Sequence, residues 1–260
     1  MTRICMIGNS HVSAMRLAWN AVQSRYPDIQ AHIFGAHAST LKTAILEAGQ
    51  VLEFNGPLWR FQAGEEPGRV RSIALGTYDA YAIVGSGFGP HSVFRTYRRY
   101  HFSGLKAQRR EALTREFFKR AATANAFDSA AGVLRDITLN AVKGPLALVP
   151  TPLPAERGLD DHDWPQMQHY RLAIEADDGA ALMKIYADIC SEQEALGLKV
   201  VHQPESTKAS LITSLQEFSV GSVRLRVDGD AHPENDYFHM NADYGALVWH
   251  DLIKVLVGNA

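Results

Sequence analysis

The sequence predicts an α/β protein, a three-layer α/β/α sandwich on a central five-stranded parallel sheet. Three observations carry that expectation. Five short apolar runs recur along the 260 residues, at 4–7, 29–34, 80–84, 146–149 and 199–201. Within each run the hydrophobicity is nearly continuous, as expected of strands covered on both faces, whereas a half-exposed strand would alternate. Helical patterns fill the gaps between the runs, which is what parallel strands need for their crossovers.

The first run ends in Gly8-Asn9-Ser10-His11 and leads to a helix beginning after Ser10. Met15, Leu17, Ala18, Trp19 and Val22 share one face of it, and it stops near Pro27. After the second run, residues 51–75 interrupt the alternation; Phe54, Trp59, Phe61 and several glycines read as a hairpin or lid. Helices are predicted over 106–125 and 129–142. A second interruption follows the fourth run, at 151–170, with Pro152, Pro154, Pro165 and the polar run Asp160, Asp161, His162, Asp163, Trp164. Both interruptions are expected as insertions over the C-terminal edge of the sheet, where open α/β folds bind ligands. A helix over 179–196 precedes the fifth run. The last helix aligns Tyr244, Leu247, Val248, Leu252, Val255 and Leu256 in one stripe. No repeat or low-complexity tract divides the chain, so residues 1–260 are expected to form a single domain.

Composition narrows the function classes. Lys and Arg total 26 against 28 Asp and Glu, a net charge of −2, which gives no global reason to bind nucleic acid or an anionic membrane. Arg95, Arg98, Arg99, Lys106, Arg109 and Arg110 spread around a presumed helix and read as a solvated face, one that an anionic substrate or acyl carrier could use. Two cysteines, Cys5 and Cys190, are too few for a disulfide framework or a structural zinc site, so buried thiols are expected. The apolar N-terminal run is too short for a secretory signal, and nowhere do 18 apolar residues run together. A cytoplasmic protein is the expectation.

The junction Gly8-Asn9-Ser10-His11 holds the first chemical signal. A serine there sits at the sheet's C-terminal edge and at a helix N-terminus, where free N–H groups and the dipole favour developing negative charge. Ser10 is thus a candidate nucleophile and oxyanion donor, while helix capping by Ser10 or Asn9 is the plain alternative. The second signal is Asp236-Tyr237-Phe238-His239-Met240-Asn241, before the final helix. A neutral imidazole at His239 would take the serine proton, and a carboxylate three residues earlier, Asp236, would hold its other nitrogen. An exposed polar turn is the alternative here.

Together these segments resemble the SGNH hydrolases, the GDSL esterase and lipase family, whose nucleophile follows the first strand and whose Asp-x-x-His lies near the C-terminus. Asn9 stands where the family usually has Asp, Met240-Asn241 resembles its Leu-Asn, and Gly245 comes one residue later than usual. The sharp matches cover some 15 residues; the strand order and the run Val149-Pro150-Thr151-Pro152 are similar too. The resemblance implies a flavodoxin-like sheet and a serine esterase with the triad Ser10, His239 and Asp236. It also implies an oxyanion hole from the N–H groups of Ser10 and of residues near the second and third strands. The positions are Ser39, in His37-Ala38-Ser39-Thr40, and Gly87, in Gly85-Ser86-Gly87-Phe88-Gly89. The family's Asn side chain in the third block is missing, and Ser86, the Gly87 N–H or an insertion side chain is the candidate replacement.

His11 resembles the Gly-Asp-Ser-His form of SGNH domains associated with polysaccharide O-acetylation, which raises sugar acetyl esters as substrates. Trp59, Trp164, Tyr97 and Tyr100 are candidate sugar-stacking surfaces, with core packing the commoner role for such residues. Asp228, Gly229, Asp230, His232, Asp236 and His239 supply enough donors for a metal but in no recognised order, and none is expected. The chemistry requires no cofactor. Two rivals share the fold: an O-acyltransferase in which a saccharide hydroxyl resolves the same intermediate, and a non-catalytic ligand-binding protein.

Overall fold

The computed structural model describes residues 1–108, 111–226 and 230–258. In chain order, β1 (Thr2–Gly8) runs into α1 (Val12–Val22), and β2 (Ile29–Gly35) is followed by the one-turn α2 (Ala38–Leu41) and β3 (Ile45–Glu47). A long hairpin comes next, β4 (Val51–Gln62) and β5 (Gly68–Ala74), then β6 (Ala80–Val84), α3 (His91–Tyr97), and the short pair β7 (Tyr100–Phe102) and β8 (Glu111–Leu113). Helices α4 (Arg115–Phe127) and α5 (Ala130–Ala141) lead to β9 (Leu146–Val149). Beyond the 151–170 loop lie α6 (Gln168–Glu175), α7 (Gly179–Ala195), β10 (Lys199–Val200) and, after a long irregular stretch, α8 (Ala242–Val257).

The sheet order is β10-β9-β6-β1-β2-β4-β3, with β5 paired to β4. All five predicted strands are present, contiguous and mutually parallel. The order reverses direction between β1 and β6, and open sheets of this kind bind ligands beside that switch. The predicted five-stranded sheet needs correction: it is the parallel part of an eight-stranded mixed sheet. Residues 51–75 do not lie over the sheet edge but extend it, β4 pairing antiparallel with β2 through Ile33 and Phe61. Leu52, Phe54, Leu58 and Phe61 are the buried residues of β4. A register shift between Glu53 and Leu58, at Asn55-Gly56-Pro57, breaks the period-two pattern that would have marked the strand.

Alternation along each parallel strand divides the core in two. Ile4, Met6, Ile33, Ala82 and Val149 face α1 and α8, while Cys5, Ile7, Ile83 and Leu148 face α3, α4, α5 and α7. The central sheet is therefore mostly parallel and flanked by helices on both sides. On the first side α1 and α8 meet closely. A Cβ at Gly245 would come within 2.3 Å of the Ala14 carbonyl oxygen, and the buried Trp249 donates from Nε1 to the Met15 carbonyl at 2.7 Å. Gly245 is thus where the close approach demands it.

Other boundaries differ for identifiable reasons. The helix expected over 106–125 begins at Arg115, where Thr114 Oγ1 accepts from Phe117 N–H at 3.2 Å and caps it. Upstream, the N–H groups of Lys106 and Ala107 are taken by the Asp178 carboxylate, at 2.6 and 3.0 Å, so that stretch is strapped to α7 instead of coiled. The basic stretch is accordingly not one helix face: Arg99 pairs with Glu111 and Lys106 with Asp177, while Arg109 and Arg110 lie outside the described residues. Leu247 and Val255, expected inward on α8, are each 37% exposed, and Leu17 on α1 is only partly buried. Cys5 and Cys190 are buried free thiols. No helix among the described residues is long and apolar enough to cross a membrane.

Candidate active site

Where β1 meets α1, Ser10 does not cap the helix. No side chain caps α1 at all, and the Ser10 hydroxyl instead points across to the C-terminal segment, donating to His239 Nε2 at 2.7 Å. His239 Nδ1 lies 2.7 Å from Asp236 Oδ2. A carboxylate only accepts, so Nδ1 carries the ring proton and Nε2 presents a lone pair to the serine. The structure thus brings together Ser10, His239 and Asp236, residues from opposite ends of the chain.

The segment bearing the imidazole is tightly folded. Asp236 Oδ1 accepts the backbone N–H groups of Phe238 and His239, both at 3.0 Å, which closes the turn that sends both side chains the same way. Asn241 Oδ1 accepts from Asp243 and Tyr244 N–H and caps α8, while its Nδ2 ties back to the Glu217 and Val220 carbonyls. Tyr237 anchors the turn to the 151–170 loop: its carbonyl accepts from Ala155 N–H at 2.7 Å and its hydroxyl donates to Asp161 Oδ2 at 3.0 Å. Trp164 meets the Tyr237 ring edge-on. The second predicted insertion therefore buttresses the turn that carries His239.

A third residue joins Asp236. His232 Nδ1 sits 3.0 Å from Asp236 Oδ2, and its ring lies on that of His239 with centroids 4.0 Å apart and planes inclined by 9°. His11 is stacked with His239 as well, with centroids 4.9 Å apart. Burial works against ionisation of Asp236, but the hydrogen bonds from His232 and His239, the charge of His239 and the Phe238 N–H outweigh it and hold the carboxyl well below the usual range. Hydrogen bonds to a charged acceptor are worth about 1.5–3 kcal/mol each, so several together exceed the cost of partial burial. His11 is held neutral, its pKa brought down to about 3 by burial and then by the neighbouring His239.

Of the predicted oxyanion donors, the N–H groups of Ser10 and Gly87 have no acceptor among the described residues. The Ser39 N–H is engaged with the His37 ring at the start of α2, at 3.3 Å. Ser86, a candidate side-chain donor, is spent too: its buried hydroxyl donates to the Val84 carbonyl at 3.1 Å. Gly85, Ser86 and Gly87 all have positive φ, and a Cβ at Gly87 would come within 2.5 Å of Ser129. Asn9 accepts from Ser86 N–H through Oδ1 at 3.1 Å and so ties this turn to the serine turn.

The remaining candidates disperse. Tyr97 is fully buried and Trp59 is stacked with Phe61 under Arg69, while Trp164 belongs to the loop behind the base. Asp230 pairs with Arg226 at 3.3 Å, and Asp228 and Gly229 lie outside the described residues. His232, Asp236 and His239 do gather their donor atoms. In this structure both Nδ1 atoms are bonded to the same Asp236 oxygen, at 3.0 and 2.7 Å. The pairing of His232 with Asp236 was missed in the sequence, although His232 stood in the run considered for metal binding.

No family model matches the sequence, and no curated protein matches it. Among solved structures, the chain is similar to a DUF4886 family protein from Bacteroides uniformis ATCC 8492, with 11% identity and a TM-score of 0.48 over 98% of this chain and 83% of that one.

Proposed function

We propose that this protein is a serine hydrolase of carboxylic esters with an SGNH-like site and fold, acting on small-molecule or saccharide esters, acetyl esters among them. One observation carries the reading: the unbroken chain of 2.7 Å hydrogen bonds from Ser10 Oγ to His239 Nε2 and from His239 Nδ1 to Asp236. In that geometry Ser10 Oγ attacks the acyl carbon as its proton passes to His239 Nε2. The tetrahedral oxyanion lies against the unengaged N–H groups of Ser10 and Gly87. Collapse breaks the bond to the alcohol oxygen, which takes the proton from His239 and leaves. Water then attacks the acyl-serine, with His239 again accepting and returning a proton, and releases the acid. Asp236 orients the ring and stabilises the imidazolium. The absent Asn side chain fits a working enzyme, because one oxyanion donor is worth about 10²–10³ in rate whereas the nucleophile is worth about 10⁶. Buried, unpaired cysteines accord with a cytoplasmic setting.

Fluorophosphonate labelling and p-nitrophenyl acetate turnover test the reading. The wild-type protein is expected to label at Ser10, and Ser10→Ala to abolish labelling and lower kcat by about 10⁶. A wild-type protein that neither labels nor turns over a panel of such esters is a ligand-binding protein instead. Acetylated product appearing when saccharides are added would identify transfer to sugar in place of hydrolysis.

A further inference from the structure

We propose that His232 is a positioning residue for the base, donating to the same Asp236 oxygen as His239 and covering one face of the His239 ring. This rests on the ester-hydrolase reading for its catalytic meaning, but the arrangement itself is independent of it. The rings of His232 and His239 are stacked 4.0 Å apart at 9°, and both Nδ1 atoms meet Asp236 Oδ2, at 3.0 and 2.7 Å. The side chains of His232 and Asp236 are only 10% and 12% exposed. His232 Nε2 is buried with no hydrogen-bond partner, so the ring's single proton is accounted for at Nδ1, facing the carboxylate. The backbone that carries it is pinned: His232 N–H donates to the Ser222 carbonyl at 2.9 Å, Val223 bridges Ala231, and Arg16 holds the Arg226 carbonyl at 3.2 Å.

Two effects follow from this placement. Stacked with both His232 and His11, the His239 ring cannot swing from Ser10 without giving up those contacts. In addition, a carboxylate that already serves a second N–H donor has less negative charge to offer its other partner, so removing His232 leaves more of it to an imidazolium at His239. The titratable groups facing His239 are Asp236 and His232 on its own segment and His11 on the serine turn; His91 of α3 meets Phe238, not His239.

Imidazole NMR on the intact protein tests this directly. In the wild type, long-range ¹H–¹⁵N spectra are expected to show His232 as the Nδ1–H tautomer, and the Nε2–H tautomer would overturn the proposal whatever the variants do. In His232→Phe, which keeps a ring but no donor, the pKa of His239 is expected to rise by about one unit. His232→Asn, which restores a donor near the Nδ1 position, is expected to return most of that shift. An unmoved His239 in a folded His232→Phe protein sinks the proposal. The pH dependence of fluorophosphonate labelling gives the separate arm: its acidic limb is expected to move up with the NMR value. A shifted imidazole in a protein that never labels would retain His232's role toward His239 while overturning the hydrolase reading.

Discussion

The two halves of the site are built on different principles. On the His239 side, both carboxylate oxygens of Asp236 are engaged: Oδ1 takes two backbone N–H groups and Oδ2 two imidazoles. On the other side, the N–H groups of Ser10 and Gly87 have no acceptor among the described residues, in and beside a turn whose residues hold positive φ. A saturated carboxylate fixes a ring before any substrate arrives, whereas unengaged N–H groups beside a strained turn are what a transient negative charge would find. The contrast teaches that, in the proposed reading, the proton relay is defined by side chains and the anion site by backbone, so the two respond to different substitutions.

The sharpest way to break the contrast is at the relay. Asp236→Asn keeps the shape but lets the amide present its NH₂ to His239 and favours the wrong tautomer; kcat toward p-nitrophenyl acetate is expected to fall by about 10⁴ with little change in KM. An effect below tenfold would show that the carboxylate does not orient the base.

On the backbone side the larger effect is on stability. Gly87→Ala forces a Cβ to within 2.5 Å of Ser129 at a φ of 106°, and urea unfolding is expected to show a loss of about 2–4 kcal/mol. If the variant is as stable as the wild type, the turn is not strained in the way described.

The remaining effect is in the pH dependence of stability. Because the folded pKa of His11, about 3, lies below its unfolded value near 6.5, the unfolded chain binds a proton that the folded chain refuses across that window. Stability should therefore drop as pH falls from about 6.5 toward 3, and His11→Asn should lose fewer degrees of Tm between pH 7 and pH 4 than the wild type. Below about pH 4 protonation of Asp236, whose folded pKa is depressed, removes a further contribution in both proteins. Parallel Tm losses in the two proteins would mean that His11 is solvated.

What the sequence disclosed follows the same division. Ser10, Asp236 and His239 were legible because their roles need particular side chains at fixed local spacings, and the parallel strands because burial on both faces leaves a continuous apolar run. Strand β4 was not, since the shift at Asn55-Gly56-Pro57 scrambles its alternation. The engagement of Ser39 N–H by His37 and of Ser86 Oγ by Val84 was hidden because backbone geometry, not residue type, decides which donor is free. Leu247 and Val255 satisfied a helical stripe wider than the groove that α1 offers. His232 escaped because ring stacking between residues seven apart leaves no periodic trace.

Ser10 and His239 are separated by 229 positions, and the contact of Gly245 with Ala14 seats the last helix against the first one. Contacts this distant in sequence are slow to form, so the Ser10–His239 hydrogen bond is expected among the later events of refolding, and a probe that reads it would count finished molecules.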